Sequence, residues 1–294
     1  MATLSQWVQG ARPRTLPAAV APVLVGTGAA YALDAGDSAY ALLALLVSLA
    51  LQVGVNYAND YSDGIRGTDQ DRVGPVRLVG QQLANPRAVK VAAIISLAAA
   101  ALFGLALVAL SGAFVMLLVG AASIAAAWYY TGGKRPYGYA GLGEIFVFMF
   151  FGLVATLGTT YTQALTVSVA AVAGAVGVGA LASAILVANN LRDIPTDRSH
   201  GKRTLAVRLG EGRTRTLYTA LVLVAVACVG VAGAIHPSAF IAMLSFVLAI
   251  PLLRRVRAGA LGKDLIPVLS GTGRLELVYG TMLAIGLAAA PHLV

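Results

Sequence analysis

The chain has 294 residues, of which 59% are hydrophobic and only 11% charged, with a mean hydropathy of +0.82 and a net charge of +9. An ordinary soluble domain carries about 25% charged residues, and a large apolar chain this poor in charge cannot cover its surface in water. A soluble enzyme, a disordered chain and a nucleic-acid-binding domain are excluded, which leaves a polytopic membrane protein.

Taken in chain order, Leu4, Trp7 and Val8 predict a short interfacial helix. Arg12 and Arg14 then precede an apolar run. That pattern imitates a signal peptide, but so many apolar runs follow that it is read as a span. A helix crossing the hydrocarbon layer needs about 20 mostly apolar residues. Nine segments qualify, at 15–33, 39–59, 88–110, 112–131, 141–162, 167–190, 215–234, 238–253 and 274–293. They are continuously apolar rather than alternating, which argues against a β-barrel. Gly174, Gly177 and Gly179 in the sixth segment predict close helix packing.

Orientation follows from the basic residues. With the N-terminus cytoplasmic, all 21 Lys and Arg fall on the cytoplasmic side, as positive-inside bias requires. The C-terminus is then outside, and the plasma membrane is the expected location. Of the 12 acidic residues, only Asp34 and Asp37 lie outside. The rest share the basic face and need a local reason.

That reason lies at two span ends. The second segment runs into Asn56, Asn59, Asp60 and Asp63, then Arg66, Asp69 and Arg72. If the helix continues, Asn56, Asp60 and Asp63 share one face. Carboxylates so close repel unless a cation holds them, and an all-oxygen donor set fits Mg²⁺. The sixth segment runs into Asn189, Asn190, Arg192, Asp193 and Asp197, then Lys202 and Arg203. Pro195 lies between its two aspartates and predicts a kink there. The lone Cys228 and three scattered histidines offer no disulfide and no thiolate or imidazole metal site.

The motifs lie four spans apart. They suggest a single transmembrane domain over 1–294, made of two similar four-helix halves (15–131 and 141–253) and a ninth helix. The fold expected is an all-α bundle of nine transmembrane helices around a central cavity open near the cytoplasmic face. Two acid clusters across its mouth, ringed by bases, suit a diphosphate bridged by Mg²⁺.

The loop after the fourth segment carries Tyr129, Tyr130 and Lys134. It reads equally as an interfacial aromatic belt with positive-inside bases, or as a site in which Lys134 contacts phosphate and a tyrosine ring faces a carbocation. Tyr57, between the two asparagines of the first motif, is a further aromatic candidate. Glu144 reads either as an interfacial residue or as a site group.

At these residues the chain resembles the intramembrane aromatic prenyltransferases over nearly its whole length. Their first motif, Asn-Asp-x-x-Asp with a later Asp, maps onto Asn59, Asp60, Asp63 and Asp69; their second, Asp-x-x-x-Asp, onto Asp193 and Asp197. The six-residue step from Asp63 to Asp69 and the run Gly201-Lys202-Arg203-Thr204 resemble the branch acting on 1,4-dihydroxy-2-naphthoate. The resemblance implies a Mg²⁺-dependent transfer of a polyprenyl group from polyprenyl diphosphate to that acid, with loss of CO₂ and diphosphate, in menaquinone biosynthesis. Asp60, Asp63, Asp193, Asp197 and Lys134 would be catalytic, and the five aspartates would hold metal. Asn56, Asn59, Arg66, Arg72, Asn189, Asn190, Arg192, Lys202 and Arg203 would bind diphosphate, and Tyr57, Tyr129 and Tyr130 would face the carbocation. Partners would be the two substrates and membrane lipid, with no nucleic acid. A different aromatic acceptor, such as 4-hydroxybenzoate, is the nearest alternative. An ion-coupled transporter would instead place its polar groups near the midplane.

Overall fold

The structure of the protein, a computed structural model, describes residues 2–67 and 76–292, and its elements are helices. The chain opens with α1 (Leu4–Gly10), started by a capping box between Thr3 and Gln6. A 3₁₀ turn at Pro13–Thr15 leads into α2 (Pro17–Tyr31). Asp37 then caps α3 (Ser38–Ile65), its Oδ1 accepting from the Ala39 and Tyr40 N–H groups. Next come α4 (Pro86–Ser111) and α5 (Met116–Tyr129). Helix α6 (Gly143–Val147) passes through a π-helical segment, Phe148–Val154, into α7 (Ala155–Ala164). Helix α8 (Val169–Ser199) is followed by α9 (Leu205–Ile235), which breaks at Gly210, where φ is +74°. A 3₁₀ stretch, Pro237–Leu248, runs into α10 (Ala249–Arg257), and α11 (Ile266–Ala288) closes the bundle.

Among the described residues, six helical stretches are long and apolar enough to cross a membrane: Ser38–Ile65, Pro86–Ser111, Gly143–Ala164, Val169–Ser199, Leu205–Ile235 and Pro237–Arg257. Helices α2 and α5 are apolar but shorter. The chain is therefore a multi-pass membrane protein.

One expectation is corrected. The last helix starts at Ile266 rather than 274, so Arg274 lies inside α11 and not in the loop before it. Its first turns, before Arg274, carry the apolar Val268 and Leu269. Helix α8 runs on through Pro195 to Ser199, so one helix carries the whole second motif.

Helix α8 is the hub of the bundle and the most buried of the six. Lipid offers no hydrophobic drive for helix pairing, so close approach and interhelical hydrogen bonds must supply it. At Gly177 a Cβ would stand 2.0 Å from the Tyr279 hydroxyl of α11, so only glycine allows this contact. Polar links between helices include Ser48 Oγ to the Ala19 carbonyl (2.8 Å), Thr160 Oγ1 to the Gly26 carbonyl (2.9 Å) and Tyr218 to Thr272 (2.7 Å). The helices that carry the two Asn/Asp motifs, α3 and α8, each pack most extensively on the helix that follows. Both motifs end at the same end of the bundle, where Lys202 meets Asp63.

Candidate active site

A cavity of about 1190 Å³ runs through the bundle. At one end lie the two motifs; at the other it reaches Val108, Met116 and Thr162. Its depth is apolar, and its mouth is polar.

The first motif stands on the last turns of α3, which continues as helix beyond the predicted span. Asn56, Asn59, Asp60 and Asp63 are all buried. Asn56 Nδ2 donates to the Ala11 carbonyl (2.9 Å) and Thr15 Oγ1 (3.0 Å), drawing the segment between α1 and α2 into the mouth. Asn59 Oδ1 accepts from Thr131 Oγ1 at 2.8 Å. Asp60 faces away from the cavity, its two oxygens accepting from the Leu78 (2.7 Å) and Val79 (3.0 Å) N–H groups. Asp63 lines the cavity and accepts from the Tyr139 hydroxyl.

The second motif stands on the last turns of α8. Arg192 forks onto Asp193, Nε to Oδ1 at 2.6 Å and Nη2 to Oδ2 at 2.7 Å, and a further Nη2 bond goes to Asn189 Oδ1 at 2.9 Å. Asn190 Nδ2 donates to Glu144 Oε1 at 2.9 Å. This places Glu144 behind the cavity wall and answers the question the sequence left open: it is buried, and it orients a motif residue. Asn189, Asn190, Arg192, Asp197 and Lys202 line the cavity.

Lys202 joins the two motifs. Its Nζ lies 4.0 Å from Asp63 Oδ2 and 4.4 Å above the Tyr139 ring, and its backbone N–H returns to the Asp197 carbonyl (2.8 Å). Residues 139 positions apart in sequence thus share one mouth. The donors that face it are oxygens, which suits a hard divalent cation. Among the described residues no three His, Cys, Asp or Glu side chains converge. Asp69 and Arg72 lie outside the described residues.

Several sequence candidates stand elsewhere. Tyr57 packs edge-on against Trp7 and donates to its carbonyl at 2.9 Å, so it faces α1 and not the cavity. Tyr129 is 57% exposed, on the outer side of α5. Lys134 is exposed and off the cavity wall, beyond a turn at Gly133 (φ +76°). Arg66 holds that turn, donating to the Thr131 and Gly133 carbonyls, so its guanidinium is a clip rather than a wall residue. Arg203 is exposed, and its backbone N–H holds the Tyr139 carbonyl at 3.0 Å.

Sequence reasoning missed Arg12, Arg77 and Tyr139, all of which line the cavity. Arg77 is buried, and Arg12 acts electrostatically on Asp60. Neither arginine lies within a motif, so nothing in spacing marked them. Tyr139 carried a signal, as the last tyrosine of the basic, aromatic loop.

Of the aromatic candidates, Tyr130 is on the cavity wall. It begins a ladder: Tyr130 sits edge-on to Tyr137 (5.4 Å between centroids), Tyr137 stacks on Phe146 (3.9 Å), and Phe146 on Phe150 (6.0 Å). All four rings line the cavity. Tyr137 donates to the Ala126 carbonyl at 2.8 Å, and burial pushes its hydroxyl pKa up, which keeps the ring neutral.

Residues 19–265 match the UbiA prenyltransferase family. The chain belongs to that family. Its similarity to individual UbiA members extends over nearly the whole length. It is 57% identical over 288 residues to the 1,4-dihydroxy-2-naphthoate octaprenyltransferase of Mycobacterium tuberculosis, covering 98% of each chain. Its fold is similar to that of a UbiA homolog from Aeropyrum pernix, with TM-score 0.69, 16% identity, and 92% of this chain and 96% of that one covered. It is also similar to a UbiA homolog from Archaeoglobus fulgidus bound to DMAPP and Mg2+, with TM-score 0.61, 15% identity, and 95% and 99% covered. The UbiA assignment makes the chain a prenyltransferase.

Proposed function

We propose that the protein transfers a polyprenyl group from polyprenyl diphosphate to 1,4-dihydroxy-2-naphthoate. Diphosphate and CO₂ are released, and the reduced form of demethylmenaquinone remains. The observation that carries this reading is the reach of Lys202 from the second motif to Asp63 of the first, above an apolar chamber. The name of the M. tuberculosis relative supports the acceptor.

In this reading the chain crosses the plasma membrane nine times as a single domain of two similar four-helix halves and a ninth helix. The N-terminus and the mouth are cytoplasmic and the C-terminus outside. Asp63 and Asp197, with the neighbouring Asn56, Asn59 and Asn189, would hold Mg²⁺, to which Asp60, Asp193 and Asp69 belong as motif partners. When bound, the cation supplies charge neutralisation for the leaving diphosphate. Lys202 and Arg192 take diphosphate charge from the protein side. Ionisation of the allylic C–O bond leaves a carbocation at the top of the chamber. The apolar walls keep water away from it, and the Tyr130–Phe150 ladder offers ring faces to the cation and the first isoprene units. The acceptor's electron-rich ring forms the new C–C bond, and the carboxyl group leaves as CO₂.

The test is product mass. Membranes containing the protein, supplied with Mg²⁺ and a polyprenyl diphosphate, should prenylate 1,4-dihydroxy-2-naphthoate with loss of CO₂. Given 4-hydroxybenzoate or homogentisate at equal concentration, turnover should be at least ~10-fold slower, about 1.4 kcal/mol of differential transition-state binding. A preference for 4-hydroxybenzoate with its carboxylate retained would overturn the acceptor but not the enzyme class.

The bases should divide sharply. Lys202→Ala is expected to raise the KM for polyprenyl diphosphate about tenfold or more, the scale of one charge-assisted contact. Arg254→Ala and Arg255→Ala, which lie off the cavity, and the outward-facing Arg203→Ala should leave it within about twofold. Steady-state kinetics with the diphosphate varied would decide, and equal losses in all four would sink the placement of the phosphate site.

A further inference from the structure

The cavity mouth carries bases of two kinds. Arg192 and Lys202 are committed to acids of the two motifs, and the Arg12 charge acts on Asp60. Arg14 and Lys263 also line the cavity; both are exposed at its edge, and neither side chain has a hydrogen bond or ion pair among the described residues. They come from opposite ends of the chain. Arg14 belongs to the 3₁₀ turn between α1 and α2, and Lys263 to the 3₁₀ turn Gly262–Leu265 before α11.

These two turns frame one arm of the cavity. The turn bearing Arg14 packs on α11, and the turn bearing Lys263 packs on α8. Gly273 of α11 packs beside the Arg14 turn and α8. A Cβ there would stand 3.7 Å from the Arg14 carbonyl oxygen and 3.8 Å from Ile185 Cδ1, in ordinary contact rather than collision. The walls of the arm are apolar apart from Ser270 of α11, with Ala182, Ile185 and Leu186 from α8 and Ile266 and Leu269 from α11. No carboxylate in the described structure pairs with either base of the arm. The arm is therefore an apolar slot with two uncommitted cations at its rim, continuous with the chamber where the new bond forms.

Resting on the function proposed above, we infer that this arm, between the Pro13–Thr15 turn, α8 and α11, is the seat of the aromatic acceptor, and that Arg14 and Lys263 bind its carboxylate. A planar aromatic acid has the two properties the arm matches: apolar ring faces and one anionic edge. A diphosphate has no apolar face and is served by the bases on the motif side. The two substrates then enter from different sides of the mouth, and their charges do not compete for the same cations. Arg14 and Lys263 are specificity residues that act on binding and orientation.

The experiment compares two acceptors that differ only by the carboxyl group. Purified full-length protein with Mg²⁺, under reducing conditions, is assayed for kcat/KM with 1,4-dihydroxy-2-naphthoate and with 1,4-naphthalenediol. In the double variant Arg14→Gln, Lys263→Gln the preference for the acid should fall at least about tenfold, the scale of losing charge-assisted contacts to one carboxylate. The KM for polyprenyl diphosphate should stay within about twofold. Lys263→Arg alone should keep the preference. An unchanged acid-to-diol ratio, including equal loss on both acceptors, overturns the inference, as does a rise in the diphosphate KM that matches the acceptor effect. Failure of the wild-type protein to prenylate 1,4-dihydroxy-2-naphthoate at all would strike the function instead. The arm is then judged by the same ratio for 4-hydroxybenzoate against phenol.

Discussion

Asp63→Ala and Asp197→Ala should each cut turnover by at least ~10²-fold, the scale of removing one preorganised charge contact from a reacting centre. Both carboxylates line the cavity, and they approach it from α3 and α8. Asp60→Ala and Asp193→Ala are expected to be as damaging by a different route. Asp60 holds the Leu78 and Val79 amides, so its loss frees the turn that carries Arg77. Asp193 fixes the Arg192 guanidinium. Asp60→Ala should therefore also lower thermal stability, because it strands two buried N–H groups at roughly 1–3 kcal/mol each. The control is Asp37→Ala, at the far end of the bundle. It removes a helix cap, costs about 1 kcal/mol of stability, and should leave turnover near wild type. Activity measured beside melting temperature separates the three cases, and full turnover in Asp63→Ala would remove the site from this mouth.

Chelation of divalent cations should abolish turnover, and Mg²⁺ should restore it. The mouth as described is overfull of positive charge only when the acids are ignored. Lys202 and Arg192 are already committed to Asp63 and Asp193, so a diphosphate arriving alone meets carboxylates as well as bases. A hard divalent ion reconciles the two sets of anions. Zn²⁺ should substitute poorly, because the donors are oxygens without sulfur or imidazole. Full activity in excess EDTA would sink the metal-assisted reading.

Much of this was legible in the sequence because membrane helices advertise themselves. The apolar runs 39–59, 88–110 and 167–190 became α3, α4 and α8, since a bilayer admits few alternatives to helix for such runs. The Asn/Asp spacings brought Asn56 and Asp63 to the cavity side of α3, while Asp60, expected on the same face, turns to the Leu78 and Val79 amides. What failed was direction. Spacing shows that Tyr57 is near the motif but not that its ring turns toward Trp7. It shows Lys134 and Arg66 in basic loops but not that Arg66 caps carbonyls while Lys134 points outward. Arg12 and Arg77 were invisible for the complementary reason: they reach the mouth only because Asn56 and Asp60 bind backbone there. The start of α11 was missed because a charge count treats Arg274 as a loop residue, whereas a helix can bear one exposed arginine.

The π-helical segment at Phe148–Val154 acts as a phase shifter in the long helix from Gly143 to Ala164. A π turn holds an extra residue per turn relative to the α-helix, so it resets the angular origin of everything beyond it. Phe146, Phe150 and Val154 all reach the cavity across this segment, at four-residue steps. Gly152 pins the location, because a Cβ there would meet the Gly179 Cα of α8 at 2.5 Å. Deleting one residue from the segment would convert it to ordinary helix with its flanks still in phase, whereas a deletion elsewhere in Gly143–Ala164 would rotate one flank by about 100° against the other. The shape of the chamber wall is thus encoded in a residue count as well as in residue identity.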